Sequence, residues 1–491
     1  MDERERVMVQ RKGRRLLLIP FPLEGHIKPM LELAHILHSK GFSITIIHTS
    51  FNSPNPSNYP NFNFSCIQDG LSETESSTKD LLNFITALNV KCAAPFQVCL
   101  RKLLYDVSQE PVACLISDAM CYFTQAVANN ISLPRIVFRT AGVSSFLAFA
   151  AFPFLRLKGY IPIQATNLLA SSNVLLIFGM WHLECKLEEA VAELAPLRVK
   201  DLPIIKTEEG EKYYELLSML VKETKCSLGV IWNSFEELES SALATLRQEF
   251  SIPMFPIGPF HKYFPSSSSS CCSSLISQDQ SCISWLDKHT PKSVLYVSFG
   301  SVAVITEIEF LEIAQALANS NHPFLWVVRP RLIIGSEWME PLPSGFMDNL
   351  EGRGLIVKWA PQQQVLAHPS IGAFWTHNGW NSTLESICEG VPMICMPCFT
   401  DQKVNARYVS HVWRIGLQLE KGVERGEIET TITRLMDDSV EGKEIRDRAL
   451  KLKEKAKLCL KQGASSSSSL EALVTYILSF HSFTFQPSSF S

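Results

Sequence analysis

The sequence predicts an α/β protein made of two doubly wound parallel-sheet halves. Three observations carry this reading. Short apolar runs alternate with longer segments of helical period, as buried parallel strands alternate with crossover helices. The alternation restarts after the middle of the 491-residue chain. Between the two series lies a proline-punctuated stretch, Ser251–Pro265, followed by a serine-rich run, Ser266–Ser274. The halves are expected at 1–252 and 253–464, with a last helix, 470–480, packing back on the first half.

The elements follow in order. Arg15–Pro20 (RLLLIP) reads as the first strand, and the basic cluster Arg11, Lys12, Arg14 and Arg15 as its solvated lead-in. A loop, Phe21–Lys28, comes next. Pro29 sits near the first turn of a helix, where a missing N–H costs nothing, and Gly41 ends that helix. Phe42–Thr49 and Phe62–Ile67 are strands, and Lys79–Tyr105 is helical with an interruption at Pro95. Val112–Ser117 and Arg135–Arg139 are further buried strands. In the second half Ser293–Ser298, Pro323–Val328, Gly354–Lys358, Ile371–Trp375 and Pro392–Cys395 are strands, with helices such as Glu307–Ala318 and Ser382–Cys388 between them. A second serine run, Ser465–Ser469, precedes an apolar helix from Leu470, and the tail from His481 is expected to fray.

Composition removes several function classes. Hydrophobic residues make up 46% and charged residues 19%, too apolar a mixture for a disordered chain. Forty-five Lys and Arg face 49 Asp and Glu without a basic block, so nucleic acid is not an expected partner. The most apolar stretch, Ala141–Leu155, contains Ser144, Ser145 and Pro153 and stops at Arg156, short of the roughly 20 residues a bilayer requires. The charged N-terminus lacks an apolar signal core, so the expectation is a cytosolic protein whose fourteen cysteines are reduced thiols. Cys395 and Cys398 form a C-x-x-C without a second pair, so no metal or redox role is assigned to them.

In doubly wound folds ligands bind outside the carboxyl ends of the strands, here at a cleft between two facing halves. The first strand leads to His26, and the strand VACLIS runs into Asp118. A carboxylate bonded to one imidazole nitrogen leaves the other free to accept a proton, which makes a general-base dyad. The competing reading is a surface His, with Asp118 as N-cap of a helix at Ala119–Ala128. The chain has no G-x-S-x-G elbow, P-loop, H-E-x-x-H motif or G-x-G-x-x-G fingerprint. In the second half, Trp375–Ser382 joins a strand to a helix N-terminus, where free N–H groups and the dipole suit a phosphate. Gly379 permits close backbone approach, and His377 can donate to a phosphate oxygen. Val297–Ser301 makes a similar glycine-containing turn. Ser382-Thr383-Leu384-Glu385 fits either a capping box or a carboxylate that grips a ribose diol, and the residues alone do not separate the two. Trp359 fits either the core or a stacking platform for a base. Asp401 and Gln402 follow the strand MICMPCF at a carboxyl edge.

Together these residues resemble the plant UDP-dependent glycosyltransferases. Trp359–Gln402, WAPQQQVLAHPSIGAFWTHNGWNSTLESICEGVPMICMPCFTDQ, has the 44-residue length of the family's plant secondary product glycosyltransferase box. The resemblance extends through PFPLEGHIKPMLELA, LISDA, VIWNSFEELE and SVLYVSFGSVA. GFSITIIHTSFN, NGWNSTLESICEGVPMI and NARYVS resemble the subgroup with cytokinin, hydroxy-acid and steviol-glycoside glucosyltransferases.

The resemblance implies a GT-B fold, with two Rossmann-like domains facing across a cleft. It implies Trp359 stacked on uracil, Ala360 and Gln362 at the uracil edge, and Glu385 on the ribose hydroxyls. His377, Asn381, Ser382 and Ser301 would hold the diphosphate. Trp380, Asp401 and Gln402 would meet the sugar, helped by Thr140. His26 would be the base and Asp118 its partner. The implied activity is metal-free, inverting β-glucosylation by a monomer, from UDP-glucose to a small and mainly apolar acceptor. No cofactor is implied, and Gln402 is the family's glucose-associated choice, galactose users tending to have His. Two departures stand out: Asn378 where many members have Cys or Ser, and Cys398 where a bulkier or acidic residue is common. The alternatives from other classes are a UDP-sugar-binding protein that has lost catalysis, and an NAD-dependent oxidoreductase. Both His26 and Asp118 being present counts against the first, and the missing glycine fingerprint against the second.

Overall fold

The computed structural model describes residues 14–76, 80–106, 108–161, 186–205, 207, 209–264 and 276–480. The serine-rich run 266–274, the tail from His481, Arg11 and Lys12 lie outside them. The chain forms two compact units, Met1–Val143 with Glu211–Ile276 and Lys455–Ser491, and Ser144–Gly210 with Ser277–Glu454.

The first unit holds a seven-stranded sheet of β1 (Arg15–Ile19), β2 (Ser43–Thr49), β3 (Phe62–Ile67), β4 (Val112–Asp118), β5 (Arg135–Arg139), β6 (Val230–Trp232) and β7 (Met254–Pro256). Their order is β3-β2-β1-β4-β5-β6-β7, and every pairing is parallel. The chain starts in the middle, winds outward, then crosses to the other side, so β1 and β4 flank the switch point. Leu16, Leu18, Ile46, Ile116 and Phe138 pack with Ile27, Met30 and Leu31 of the helix Glu24–Ser39. Leu470, Leu473, Val474 and Ile477 of the helix Ser465–Ser479 join the same core. Each such aliphatic side chain contributes about 1.5–3 kcal/mol on burial.

The second unit holds six parallel strands: β8 (Val294–Ser298), β9 (Phe324–Val327), β10 (Gly354–Val357), β11 (Ile371–Thr376), β12 (Met393–Cys395) and β13 (Gly416–Gln418). Their order, β10-β9-β8-β11-β12-β13, is again doubly wound. The α/β class and the parallel sheets are therefore as the alternation predicts. Among the described residues no helix is long and apolar enough to cross a membrane.

Several local expectations change. The first helix begins at Glu24, before Pro29. The Leu23 carbonyl already accepts from the His26 and Ile27 amides, both at 2.9 Å, so the first turn closes early and places His26 on the helix. Pro95 does not interrupt the helix Leu81–Tyr105, because Leu88, Cys92, Phe96 and Leu100 bury one face across it. Arg15 is a buried strand residue, not a solvated lead-in, and Arg14 bonds the Phe480 carbonyl at 2.7 Å. The run Ser465–Ser469 is the first turns of the last helix, with Ser466 Oγ donating to the Gly258 carbonyl at 2.7 Å. β6, β7 and β13 are three residues each, too short to leave a period in the sequence.

His35, on the helix that carries His26, sits among Tyr59, Phe62 and Phe264. Its Nε2 is buried without a hydrogen-bond partner. Burial, and to a lesser degree neighbouring His38, push its pKa down to about 4. The unfolded chain takes up this proton near pH 6.5, and the folded chain only near 4. Stability is thus expected to fall as pH drops from 6.5 towards 4 and to be insensitive to His35 above 6.5. Unfolding midpoints across this range check it: His35→Phe should flatten the profile, and an unchanged slope would remove His35 as a cause.

Candidate active site

In the first unit β1 and β4 are neighbours, with Ile19 opposite Ser117. Their carboxyl ends bring His26 and Asp118 together, Nδ1 lying 2.8 Å from Oδ2. An ionised carboxylate only accepts, so Nδ1 carries the proton and Nε2 keeps a lone pair. Asp118 Oδ1 accepts the Met120 amide at 2.8 Å, and the side chain is 1% exposed against 22% for His26. The helix that follows starts at Phe123, so Asp118 is not its N-cap; one oxygen holds a turn and the other holds His26. Thr140, directly after β5, places Oγ1 3.1 Å from the same Nδ1. Phe21 sets the edge of its ring against the imidazole, with centroids 5.3 Å apart. Two anchors and an aromatic wall thus orient one partly exposed ring. Thr140 belongs to this group in the first unit.

In the second unit Thr376 pairs with Ser298 on one side and Cys395 on the other. The turns after β8, β11 and β12 therefore leave the sheet side by side, carrying Ser301, His377 and the Asp401–Gln402 pair. His377 is wedged between glycines. A Cβ at Gly300 would lie 2.6 Å from its Cε1 and Nε2, and one at Gly379 2.5 Å from Nε2. Burial, then the Arg329 guanidinium, push its pKa down to about 4, opposed by the Ser298 main chain. His377 is therefore neutral at pH 7 and has one N–H to donate, not a charge. Its Nδ1 is buried without a partner among the described residues. Gly300 also has φ +72°, which side-chain-bearing residues rarely adopt. Gly300→Ala should cost about 1–3 kcal/mol of stability, through overpacking against the His377 ring. Denaturant unfolding reads the cost, and a wild-type transition would show that the ring yields to the added carbon.

The helix Trp380–Glu389 starts after Gly379, not at Ser382. Ser382 therefore lies inside the first turn, and the capping-box reading of Ser382 and Glu385 falls. Glu385 is 4% exposed; its Oε2 accepts Gln362 Nε2 at 2.7 Å and its Oε1 accepts Gln363 Nε2 at 2.9 Å. Gln362 Nε2 also reaches Ser382 Oγ at 3.0 Å, so Gln362, Ser382 and Glu385 form one polar cluster. Trp359 is half-buried after β10, its carbonyl accepting the Asp279 amide at 2.9 Å, and Ala360 is buried. Trp380, at the helix start, is buried with its ring 6.4 Å from Trp413; Asn381 follows in the same turn. Gln402 Oε1 accepts the Cys398 and Phe399 amides at 2.9 and 3.2 Å. That uses its carbonyl and turns its amide N–H₂ to other duty. Asp401 opens the helix Asp401–Arg407 and accepts from Thr400 Oγ1 at 2.8 Å.

Asn378 adopts φ +61°, which Asn tolerates better than most residues, and its Nδ2 reaches Cys395 Sγ at 3.3 Å. Cys395 and Cys398 are thus taken up locally, and no three His, Cys, Asp or Glu side chains converge on a metal-sized site among the described residues. Reading the sequence did not single out Gln363 or Arg329. Gln363 stands in a run of three glutamines, a polar signal at a strand end; Arg329 carries none beyond its place after β9.

Residues 270–450 match the family model "UDP-glucoronosyl and UDP-glucosyl transferase". UDP-glycosyltransferase 76B1 of Arabidopsis thaliana is 52% identical over 466 residues, covering 95% of this chain and 98% of the relative. UDP-glycosyltransferase 76G1 of Stevia rebaudiana is 45% identical, covering 98% and 100%. Os79 from O. sativa, solved in complex with UDP, superposes with a TM-score of 0.77 at 26% identity, covering 94% and 100%. A Polygonum tinctorium UDP-glucosyltransferase capable of glucosylating indoxyl gives 0.75 at 29% identity, covering 95% and 98%. The fold is GT-B, and the chain belongs to the UDP-glycosyltransferases, enzymes that move a sugar from a UDP-sugar to a small molecule. Within them its relatives are plant enzymes of group 76.

Proposed function

We propose that the protein transfers glucose from UDP-glucose, with inversion and without a metal, to a hydroxyl of a small, mainly apolar plant metabolite. A carboxyl or amine acceptor fits the same chemistry. The observation that carries this is the 2.8 Å contact between His26 Nδ1 and buried Asp118. It leaves Nε2 as the basic atom on a ring open to solvent.

The acceptor oxygen gives its proton to Nε2 as it attacks the anomeric carbon. Asp118 stabilises the imidazolium that forms. The bond from the anomeric carbon to the phosphate oxygen breaks on the opposite face, and UDP leaves with the bond's electron pair. An α-linked donor therefore yields a β-glucoside. Trp359 stacks on uracil, Ala360 and Gln362 meet its edge, and Glu385 takes the ribose hydroxyls. Ser301, His377, Asn381 and Ser382 hold the diphosphate, whose charge meets the N-terminus of the helix Trp380–Glu389. Trp380, Asp401 and Gln402 take the sugar, with Thr140 steadying His26.

UDP release from UDP-glucose against a panel of small phenols tests the activity, and NMR of the product tests inversion: an α-linked product would overturn it. Because the helix end and His377 meet the departing charge, chelator should leave the rate unchanged. A loss restored by Mg²⁺ would overturn the metal-free step.

A further inference from the structure

Asn405 is 2% exposed and lies on the helix that Asp401 opens. Its Nδ2 donates to the Asn378 carbonyl at 2.9 Å and to Asp401 Oδ2 at 3.3 Å. Its Oδ1 accepts from Ser145 Oγ at 3.0 Å, and Ser145 is fully buried. All four residues belong to the second unit. The set admits one orientation of the amide. A flipped amide would aim its oxygen at a carbonyl and a carboxylate, and its N–H₂ at a hydroxyl already donating to it. Both amide hydrogens are thus committed to acceptors in two different turns. One is the carbonyl of Asn378, which lies between His377 and Gly379 in the left-handed region. The other is the carboxylate of Asp401.

We infer that Asn405 is a positioning residue that holds the Asp401 carboxylate in the orientation that receives the sugar, using the Asn378 carbonyl and Ser145 as its fixed points. This rests on the reading of Asp401 as a sugar contact. Thr400 Oγ1 holds one oxygen of the Asp401 carboxylate at 2.8 Å, and Asn405 holds the other at 3.3 Å. Together they fix the plane of the carboxylate before the donor arrives, which is where preorganisation gains affinity.

Asn405→Asp tests it. The shape is kept, while the nitrogen that carries both N–H donors becomes an oxygen facing a carbonyl and a carboxylate. The readout is the ratio of UDP to UDP-glucose dissociation constants, which isolates the sugar's contribution and which a loss of packing would not move. Asn405→Asp should lower this ratio by roughly 10-fold, as loss of a hydrogen bond to a charged group does. Asp401→Ala should lower it similarly, and the double variant should lower it no further than the larger single loss. Ser145→Ala, which removes one anchor and leaves the amide in place, should move the ratio in the same direction by less, and keeps the test open should Asn405→Asp fold poorly. An unchanged ratio in Asn405→Asp and Ser145→Ala beside a reduced one in Asp401→Ala would overturn the role of Asn405 alone. So would additive losses in the double variant. An unchanged ratio in Asp401→Ala would overturn the sugar contact itself, and this inference with it.

Discussion

Replacing His26 by Ala should lower kcat by about 10²–10⁴, the range typical of a lost general base. UDP binding should be untouched, because His26 belongs to the first unit and the residues proposed for the nucleotide belong to the second. Asp118→Asn should also be severe, for a more specific reason. The Asn amide would present N–H to Nδ1 or lose the Met120 bond, and the proton would shift to Nε2, the atom that must accept. Steady-state kinetics with any accepted phenol, beside UDP titration by calorimetry, measures both. Near-normal turnover in His26→Ala would sink the base assignment.

Glu385→Ala should weaken UDP by roughly 10–100-fold, since hydrogen bonds to a charged group contribute about 1.5–3 kcal/mol. The carboxylate is not idle in the structure: it gathers the amides of Gln362 and Gln363. Its loss would free Gln362 as well, so one substitution should loosen both ribose and uracil contacts. Glu385→Gln keeps the volume and separates charge from packing. Unfolding transitions of both variants should stay close to wild type. A shifted transition with unchanged affinity would make Glu385 a strut between helices and nothing more.

The class of fold was legible because buried parallel strands leave runs such as RLLLIP and SVLYVS, and eleven-residue or longer helices leave a period. The boundaries at His26 and Ser382 were not. In both places the helix starts earlier than the strongest local signal, Pro29 in one case and a capping-box pattern in the other. Main-chain closure at Leu23 decides the first, and the N-cap at Gly379 decides the second; neither carries a side-chain signature as strong as a proline or a Ser-x-x-Glu. The dyad was half legible. Spacing put His26 and Asp118 at strand ends, but only the sheet order makes β1 and β4 neighbours. Thr140 was named through the family resemblance for the sugar; its hydroxyl also lies 3.1 Å from His26 Nδ1, a contact that no local pattern signals. Asn405 escaped because a buried amide has no sequence signature of its own, and Gln363 because its signal, a run of glutamines, does not say which of them is used.

The slot around His377 has one more consequence. Its walls at Gly300 and Gly379 consist of carbon that is absent, so any other residue at either position sets a first carbon against the ring. Size cannot be introduced there in small increments, because the smallest side chain already lies within 2.5–2.6 Å of the imidazole.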